Sequence, residues 1–372
     1  MNITIQIEGI NFEGFTKVSV IRSIETISSG FSFVATNTNS ATFPIKRGDS
    51  CKIFINSTQV IDGFVETLNP FRSTNESNIT ISGRDKTKKV IKSSVSVNTN
   101  FTSNISLKNV IKQTLSKNGI TGIDVIEDVD VGTIALFKSG EIVSAEIGSN
   151  MFDFLETLAR KKQVLLTTDG KGNIVLARGS TKPIDAQLIL KEGQTINTNT
   201  EESELILNDE NRYNKVIVKS QANLSALSSY STSTVADITA FAIDDEILEG
   251  ETLVVISETA LGSITDAKNR AIWEINTRKA RGFTYTRTIT GFSFDTIDES
   301  KIWEPNKLID VVDEQWDINA RLLIKNVEYR LDSDRAGGIT LLTLTLQNAY
   351  NLSLSSSKII EQNTKVGNNF VS

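Results

Sequence analysis

Apolar and polar side chains alternate from the first residues onward. Ile3, Ile5 and Ile7, then Val18 and Val20, then Phe31, Phe33 and Ala35, then Ile79 and Ile81, each line one face of an extended chain. Turn-forming residues punctuate these runs. Lys46-Arg47-Gly48-Asp49 is one such break, and Asn56-Ser57-Thr58 separates Ile53-Phe54-Ile55 from Val60-Ile61-Asp62-Gly63-Phe64-Val65. Antiparallel strands at this spacing predict a small β-barrel or sandwich over residues 1–93, and the barrel is the form expected here.

The period then changes. Leu107, Val110, Ile111 and Leu115 follow helical spacing between an N-cap serine, Ser106, and the C-cap pair Asn118-Gly119. A second helix starts at Asn150, carries Asp153 in its first turn and ends in Arg160-Lys161-Lys162. The runs Val164–Thr168 and Asn173–Leu176 flank Asp169-Gly170-Lys171-Gly172 as a β-hairpin. Glycines between two strands form a turn, whereas a phosphate loop needs them between a strand and a helix. Residues 94–180 are therefore expected to form a small α/β domain.

Strand signals return at Leu188-Ile189-Leu190 and Tyr213–Val218, within a connecting, mainly β region over 181–262 whose Ser-rich run 224–234 reads as a loop. A third helix runs from Ser263, with Asp266 in its first turn, to Arg281-Gly282. Behind it Phe283, Tyr285, Arg287 and Ile289 alternate with threonines as a long strand. This helix and a second barrel occupy 263–352, and 353–372 is a polar tail. An internal repeat joins the two ends. Pro44 precedes Val65 by 21 residues and the next strand opens 14 later, while Pro305 precedes Val327 by 22 and the next strand again opens 14 later. The fold class expected is mainly β with α+β parts: two small similar β-barrels, with Val65 and Val327 at equivalent places, plus an inserted small α/β domain.

Composition narrows the chemistry. Histidine is absent and Cys51 is the one cysteine, so Ser-His-Asp, Cys-His and zinc-finger arrangements are excluded, and no internal disulfide can form. Beside Lys52-Ile53-Phe54-Ile55, Cys51 reads as a small core residue. Asn, Thr and Ser make up 108 of the 372 residues against four prolines, which favours strands. The net charge of −6 is the wrong sign for a general nucleic-acid binder. Neither a secretory leader nor an apolar run of membrane-spanning length is present, which predicts a soluble protein made in a cytoplasm.

A family resemblance rests on five segments in order: Gly83-Arg84-Asp85-Lys86-Thr87; Phe154–Lys161 with the following hairpin; Asn211-Arg212-Tyr213-Asn214-Lys215-Val216-Ile217-Val218; Ile302-Trp303-Glu304-Pro305-Asn306; and Leu322–Tyr329. Together they resemble the Mu-like baseplate hub proteins of contractile-tailed bacteriophages. One departure is Lys88-Lys89-Val90-Ile91-Lys92, where an acidic continuation is expected. The resemblance implies a structural virion protein assembled in the host cytoplasm. It implies a homotrimer whose ring joins the six-fold tail tube protein to the three-fold central spike protein, among other baseplate proteins. DNA would pass through a channel without specific binding, and nothing would insert in a membrane. Within the quoted segments Arg84, Asp85, Lys86, Arg212, Trp303 and Asn306 are the expected interface residues, with no catalytic residue, metal or cofactor. Two other readings stay open on composition: a phage-borne glycan-binding adhesin, and a glycan hydrolase working through an Asp/Glu pair. In the helices and turns, however, acidic residues such as Asp49, Asp153, Asp169 and Asp266 have structural explanations.

Overall fold

The computed structural model describes residues 2–36, 44–74, 77–101, 104–138, 141, 144–191, 200–220, 238–248, 250–256, 263–295, 297–333 and 337–352. The run 224–234 and the tail 353–372 lie outside the described residues.

The alternating start of the chain folds as β1 (Ile3–Ile7), β2 (Ile10–Phe12), β3 (Phe15–Ser23), β4 (Gly30–Thr36), β5 (Ser50–Ile55), β6 (Thr58–Arg72) and β7 (Ser77–Asp85). A short α1 (Lys88–Lys92) leads to α2 (Leu107–Lys117), β8 (Val125–Glu127), α3 (Met151–Lys161) and the hairpin β9 (Leu165–Thr168) and β10 (Ile174–Ala177). The helices begin where capping predicts. Ser106 Oγ accepts from Asn109 N at 3.2 Å, and Asn150 Oδ1 accepts from Phe152 N at 2.8 Å. Leu107, Val110, Ile111 and Leu115 of α2 and Met151, Leu155 and Leu158 of α3 are buried against Val125, Leu166, Ile174 and Leu176 of the small sheet β8-β10-β9. Each such aliphatic side chain contributes roughly 1.5–3 kcal/mol on burial.

After β11 (Pro183–Leu190) and β12 (Thr200–Leu207), a second three-stranded sheet is built from β13 (Lys215–Ser220), β14 (Ile238–Ile243) and β15 (Thr252–Ile256). It is backed by α4 (Ile264–Gly282), whose Ser263 cap accepts from Asp266 N, with Ala267, Ala271 and Ile275 against Val216 and Val218. The chain closes with β16 (Phe283–Thr290), β17 (Leu308–Asp313), β18 (Ile318–Asp332) and β19 (Ile339–Leu346).

Two separate barrels were the expectation, and the strand pairings correct it. Among the described residues neither end of the chain closes on itself. Their strands form one thirteen-stranded sheet in the order β12-β16-β19-β18-β3-β4-β7-β6-β5-β1-β2, with β17 also on β18 and β11 on β17. The reason is the length of β18. Its first half pairs with β17, and its second half, Asn326–Asp332, pairs with β3 from the other end of the chain. One continuous hydrophobic core, from Ile3 to Leu344, follows that sheet.

The internal repeat is visible in the ladders. In both halves a six-residue strand pairs with the first part of a fifteen-residue strand, whose second part pairs with the next strand. Both long strands carry a bulge at the changeover, at Val65/Thr67 in β6 and at Ile324/Asn326 in β18. Val65 lies opposite Gly83 and Leu68 opposite Ile81; Ile324 lies opposite Leu344 and Val327 opposite Leu342. The equivalent of Val65 is thus Ile324, and Val327 matches Leu68, a shift of three residues from the expected pairing. The repeat continues outward, with β4 matching β16 and β3 matching β12, again with bulges at the same place, Phe15/Lys17 and Thr200/Glu202.

Candidate functional site

The seam between the two halves has a defined hydrogen-bonding phase. Ile24 N donates to Lys325 O at 3.0 Å, so Asn326 and Ser23 form a non-hydrogen-bonded pair, and Val327 with Arg22 and Tyr329 with Val20 form hydrogen-bonded ones. Ser19 Oγ donates to Glu328 Oε1 at 2.8 Å, and Lys17 pairs with Asp332 at 3.1 Å. On the core side Val20, Val327 and Tyr329 are fully buried.

Of the strand edges left open among the described residues, two lie at the ends of the repeated strand unit. One is β12, which pairs with β16 alone; the other is the second half of β6, beyond the end of β5. Exposed apolar side chains sit on both, with Phe71 at 53% exposure, Ile206 at 47% and Leu207 at 59%.

The six residues singled out from the sequence do not converge on one site; each stands at a joint inside the chain. Asp85 is buried and accepts from Ser29 N at 3.0 Å, Ser28 Oγ at 2.8 Å and Thr168 Oγ1 at 2.8 Å, tying β7, the turn after β3 and the β9–β10 hairpin together. Burial pushes its carboxyl up despite these bonds. Its neighbours point to the other side: Arg84 reaches Glu66 at 2.8 Å and Lys86 reaches Asp62 at 2.6 Å. Hydrogen bonding from Arg84, aided by Lys92 and the nearby Lys88, holds the Glu66 carboxyl down to about 2, against the burial that would raise it. Lys88 and Lys92, the departure from the family pattern, therefore serve this carboxylate, the bulge residue of β6.

Arg212 is buried beneath α4, where it pairs with Asp244 at 2.9 Å, Asp209 at 2.7 Å and Glu246 at 2.5 Å. Lys279 of α4 completes the cluster at 2.9 Å from Asp244. Trp303 is a core residue, packed on Phe294 at 5.4 Å, and its carbonyl accepts from the Tyr329 hydroxyl. Asn306, with φ of 61°, accepts from Ser180 N at 2.9 Å and donates to Asp128 and to Arg178 O, both at 3.0 Å, fixing the α/β region to the second half of the large sheet. The hairpin turn adds a joint that the sequence reading treated only as a turn. Gly170, at φ of 73°, accepts from Asp62 N at 2.7 Å, and a Cβ there would lie 2.1 Å from Val60 O. Cys51 is buried, and burial pushes its thiol up, which keeps it inert. Among the described residues no three His, Cys, Asp or Glu side chains gather as metal ligands. No helix among them is long and apolar enough to cross a membrane.

The architecture, a large sheet built from two copies of one strand unit with an α/β region and a helix-backed sheet attached, is that of phage tail proteins. Solved structures show this directly. The 43 kDa tail protein of prophage MuSo2 from Shewanella oneidensis superposes with a TM-score of 0.76 at 26% identity, over 93% of this chain and 98% of that one. The tail protein from Neisseria meningitidis MC58 does so with a TM-score of 0.76 at 17% identity, over 94% and 97%. The family model for the Mu phage baseplate assembly protein GpP-like N-terminal domain matches residues 2–85, and that for the GpP fourth domain matches residues 263–353. The baseplate hub protein gp44 of Escherichia phage Mu is 22% identical over 360 residues, 96% of this chain and 90% of that protein. The chain thus resembles the Mu-type baseplate hub proteins, in its two terminal regions by family model and along nearly its whole length by the phage Mu hub protein and the solved tail proteins.

The open edges of β6 and β12 escaped the sequence reading. Pro70 interrupts the strand signal of one, and the Glu-rich start of β12 masks the alternation of Leu205 and Leu207 on the other.

Proposed function

We propose that three copies of this chain form the hub ring of a contractile tail baseplate, joining the six-fold tail tube to the three-fold central spike around a channel for DNA. The observation that carries this reading is the duplicated strand unit. Two units per chain and three chains supply six similar positions to the tube, while the chain itself repeats only three times toward the spike. The mainly β and α/β parts, divided at about residues 93, 180 and 262, are the domains of this adaptor. Arg84 and Lys86, paired with Glu66 and Asp62 but each still about one third exposed, are the members of the expected interface set with surface left to offer a neighbour. Asp85, Arg212, Trp303 and Asn306 hold the ring-forming parts in place.

The role is structural, without turnover, metal or cofactor. Three chains carry 3 × −6 = −18, so the channel wall is neutral or acidic and does not retain DNA by neutralising its phosphates. Mass measurement in solution with negative-stain images tests the reading: a trimer with an axial hole supports it. A fibre would favour the adhesin, and glycan turnover lost on changing one carboxylate would favour the hydrolase.

A further inference from the structure

The internal seam predicts the contact between copies. In the repeat, β18 corresponds to β6 and β3 to β12, so the pairing of β18 with β3 has a counterpart that one chain cannot make: the second half of β6 with a β12. Both of these edges are open among the described residues. We infer that the free edge of β6 pairs antiparallel with β12 of the next copy in the ring, in the register of the internal seam. This inference rests on the trimeric-ring reading above.

The register follows by substitution. Val327–Arg22 becomes Leu68–Leu207, Glu328–Ile21 becomes Asn69–Ile206, Tyr329–Val20 becomes Pro70–Leu205, and Arg330–Ser19 becomes Phe71–Glu204. The backbone phase agrees on both sides. Asn208 N donates to Gly282 O, so Leu207 and Phe283 form a non-hydrogen-bonded pair, and the N–H and C=O of Leu205 and Leu207 face the open edge. Asp85 N donates to Ser29 O, which turns Gly83 and Ile81 toward β4 and Ser82 toward β6. Leu68, Pro70 and Arg72 therefore direct their backbone groups outward. The outward-facing groups of the two edges thus meet in the inferred register.

Side chains fit as well. On the core side Leu68 and Leu205, each already partly buried on the large core, would meet Leu207 and Pro70. On the other side Ile206, 47% exposed, takes the place held in the seam by Ile21, 48% exposed. Pro70 lacks the N–H that would point across the contact, so this ladder has one donor fewer than the internal one. It also keeps the free edge from recruiting arbitrary strands before assembly. The contact is head-to-tail, which is the kind that a three-membered ring repeats and a two-fold dimer does not.

The test is a disulfide across the inferred non-hydrogen-bonded pair Asn69–Ile206, where Cα atoms about 4.5 Å apart suit the bond. The full-length chain carrying Asn69→Cys and Ile206→Cys is expected to run as covalent dimers and trimers on a non-reducing gel. Either single variant alone stays uncrosslinked, and the two singles co-expressed stop at dimers. Phe71→Cys with Ile206→Cys, one register step away, is expected to cross-link at least tenfold less. Leu207→Asp, at an exposed position, is expected to abolish the trimer while leaving the circular dichroism spectrum of the folded chain unchanged, with Tm falling only by what the lost association supplied. A trimer by mass whose Asn69→Cys/Ile206→Cys chains stay single, or whose Leu207→Asp form remains trimeric, overturns the pairing and leaves the hub reading intact. A chain that stays monomeric at high concentration overturns the ring reading and the pairing together.

Discussion

Phe33 and Arg287 occupy the same place in the two copies of one strand unit. Phe33 lies opposite Ile81 and Val18, and Arg287 opposite Leu342 and Ser203. Both are buried, Phe33 at 1% and Arg287 at 0% exposure. The first copy fills this place with a ring stacked on Phe31 at 6.3 Å. The second fills it with a guanidinium that bonds the Tyr285 hydroxyl and lies 3.3 Å from Asp313 Oδ2. Tyr285 donates in turn to Asp313, and burial, then that carboxylate, push its phenol up. The fold of the unit does not require the charge; the charge requires its partners.

Replacing Arg287 with leucine should therefore be severe, because it strands a buried carboxylate. The expected loss is about 3–5 kcal/mol in urea unfolding. Asp313→Asn in the same chain keeps the Oδ1 acceptor for Gln315 N and Trp316 N while removing the charge. The double variant should recover a substantial part of the loss. If it is no more stable than Arg287→Leu alone, the unpaired charge is not the cause.

The Gly170 joint makes a separate prediction. A methyl at Gly170 meets the Val60 carbonyl and a positive φ at once, so Gly170→Ala should cost roughly 2–3 kcal/mol. The damage should begin at the contact. The Asp62 amide, which donates to Gly170 O, should exchange with deuterium well before the amides of the β6–β7 ladder. Equal protection of Asp62 in both proteins would refute this.

Much of this architecture is legible in the sequence wherever the signal is local. Ser106, Asn150 and Ser263 announce their helices because capping is decided within three residues. The register of the repeat is not legible from spacing. Pro44 stands six residues before Ser50, whereas Pro305 stands three before Leu308. Surface loops change length freely, so a count from the prolines misplaces Val65 against Val327, and only the bulges fix the match. Pro70 is ambiguous in the sequence for a related reason. A proline argues against a strand until the direction of its missing N–H is known, and here that direction is an open edge. Asp85 and Asn306 stand in segments that resemble the family. What they bond, Thr168 and Ser180 among others, lies 83 and 126 residues away, a distance no local pattern spans.

The two bulge residues carry opposite charges, Glu66 answered by Arg84, Lys88 and Lys92, and Lys325 answered by Glu25 at 3.1 Å. The Glu66 cluster predicts a pH dependence with a definite sign. Its folded carboxyl titrates at about 2 and an ordinary glutamate at 4.5, so between those values the unfolded chain binds the extra proton. The stability that Glu66 supplies is therefore fully present above about pH 4.5 and is lost as the pH falls through about 2. Asp85 acts in the opposite sense. Its raised carboxyl contributes stability below the unfolded value of 3.8 that is lost as the pH rises through the folded one, so the wild-type profile alone mixes the two. Glu66→Gln separates them. The difference in urea midpoint between wild type and Glu66→Gln should be largest near neutrality and should shrink steadily between pH 4.5 and pH 2. High salt should reduce it, since Lys92 is well exposed. A difference that stays constant over that range would mean that the three cations hold Glu66 by packing rather than by charge.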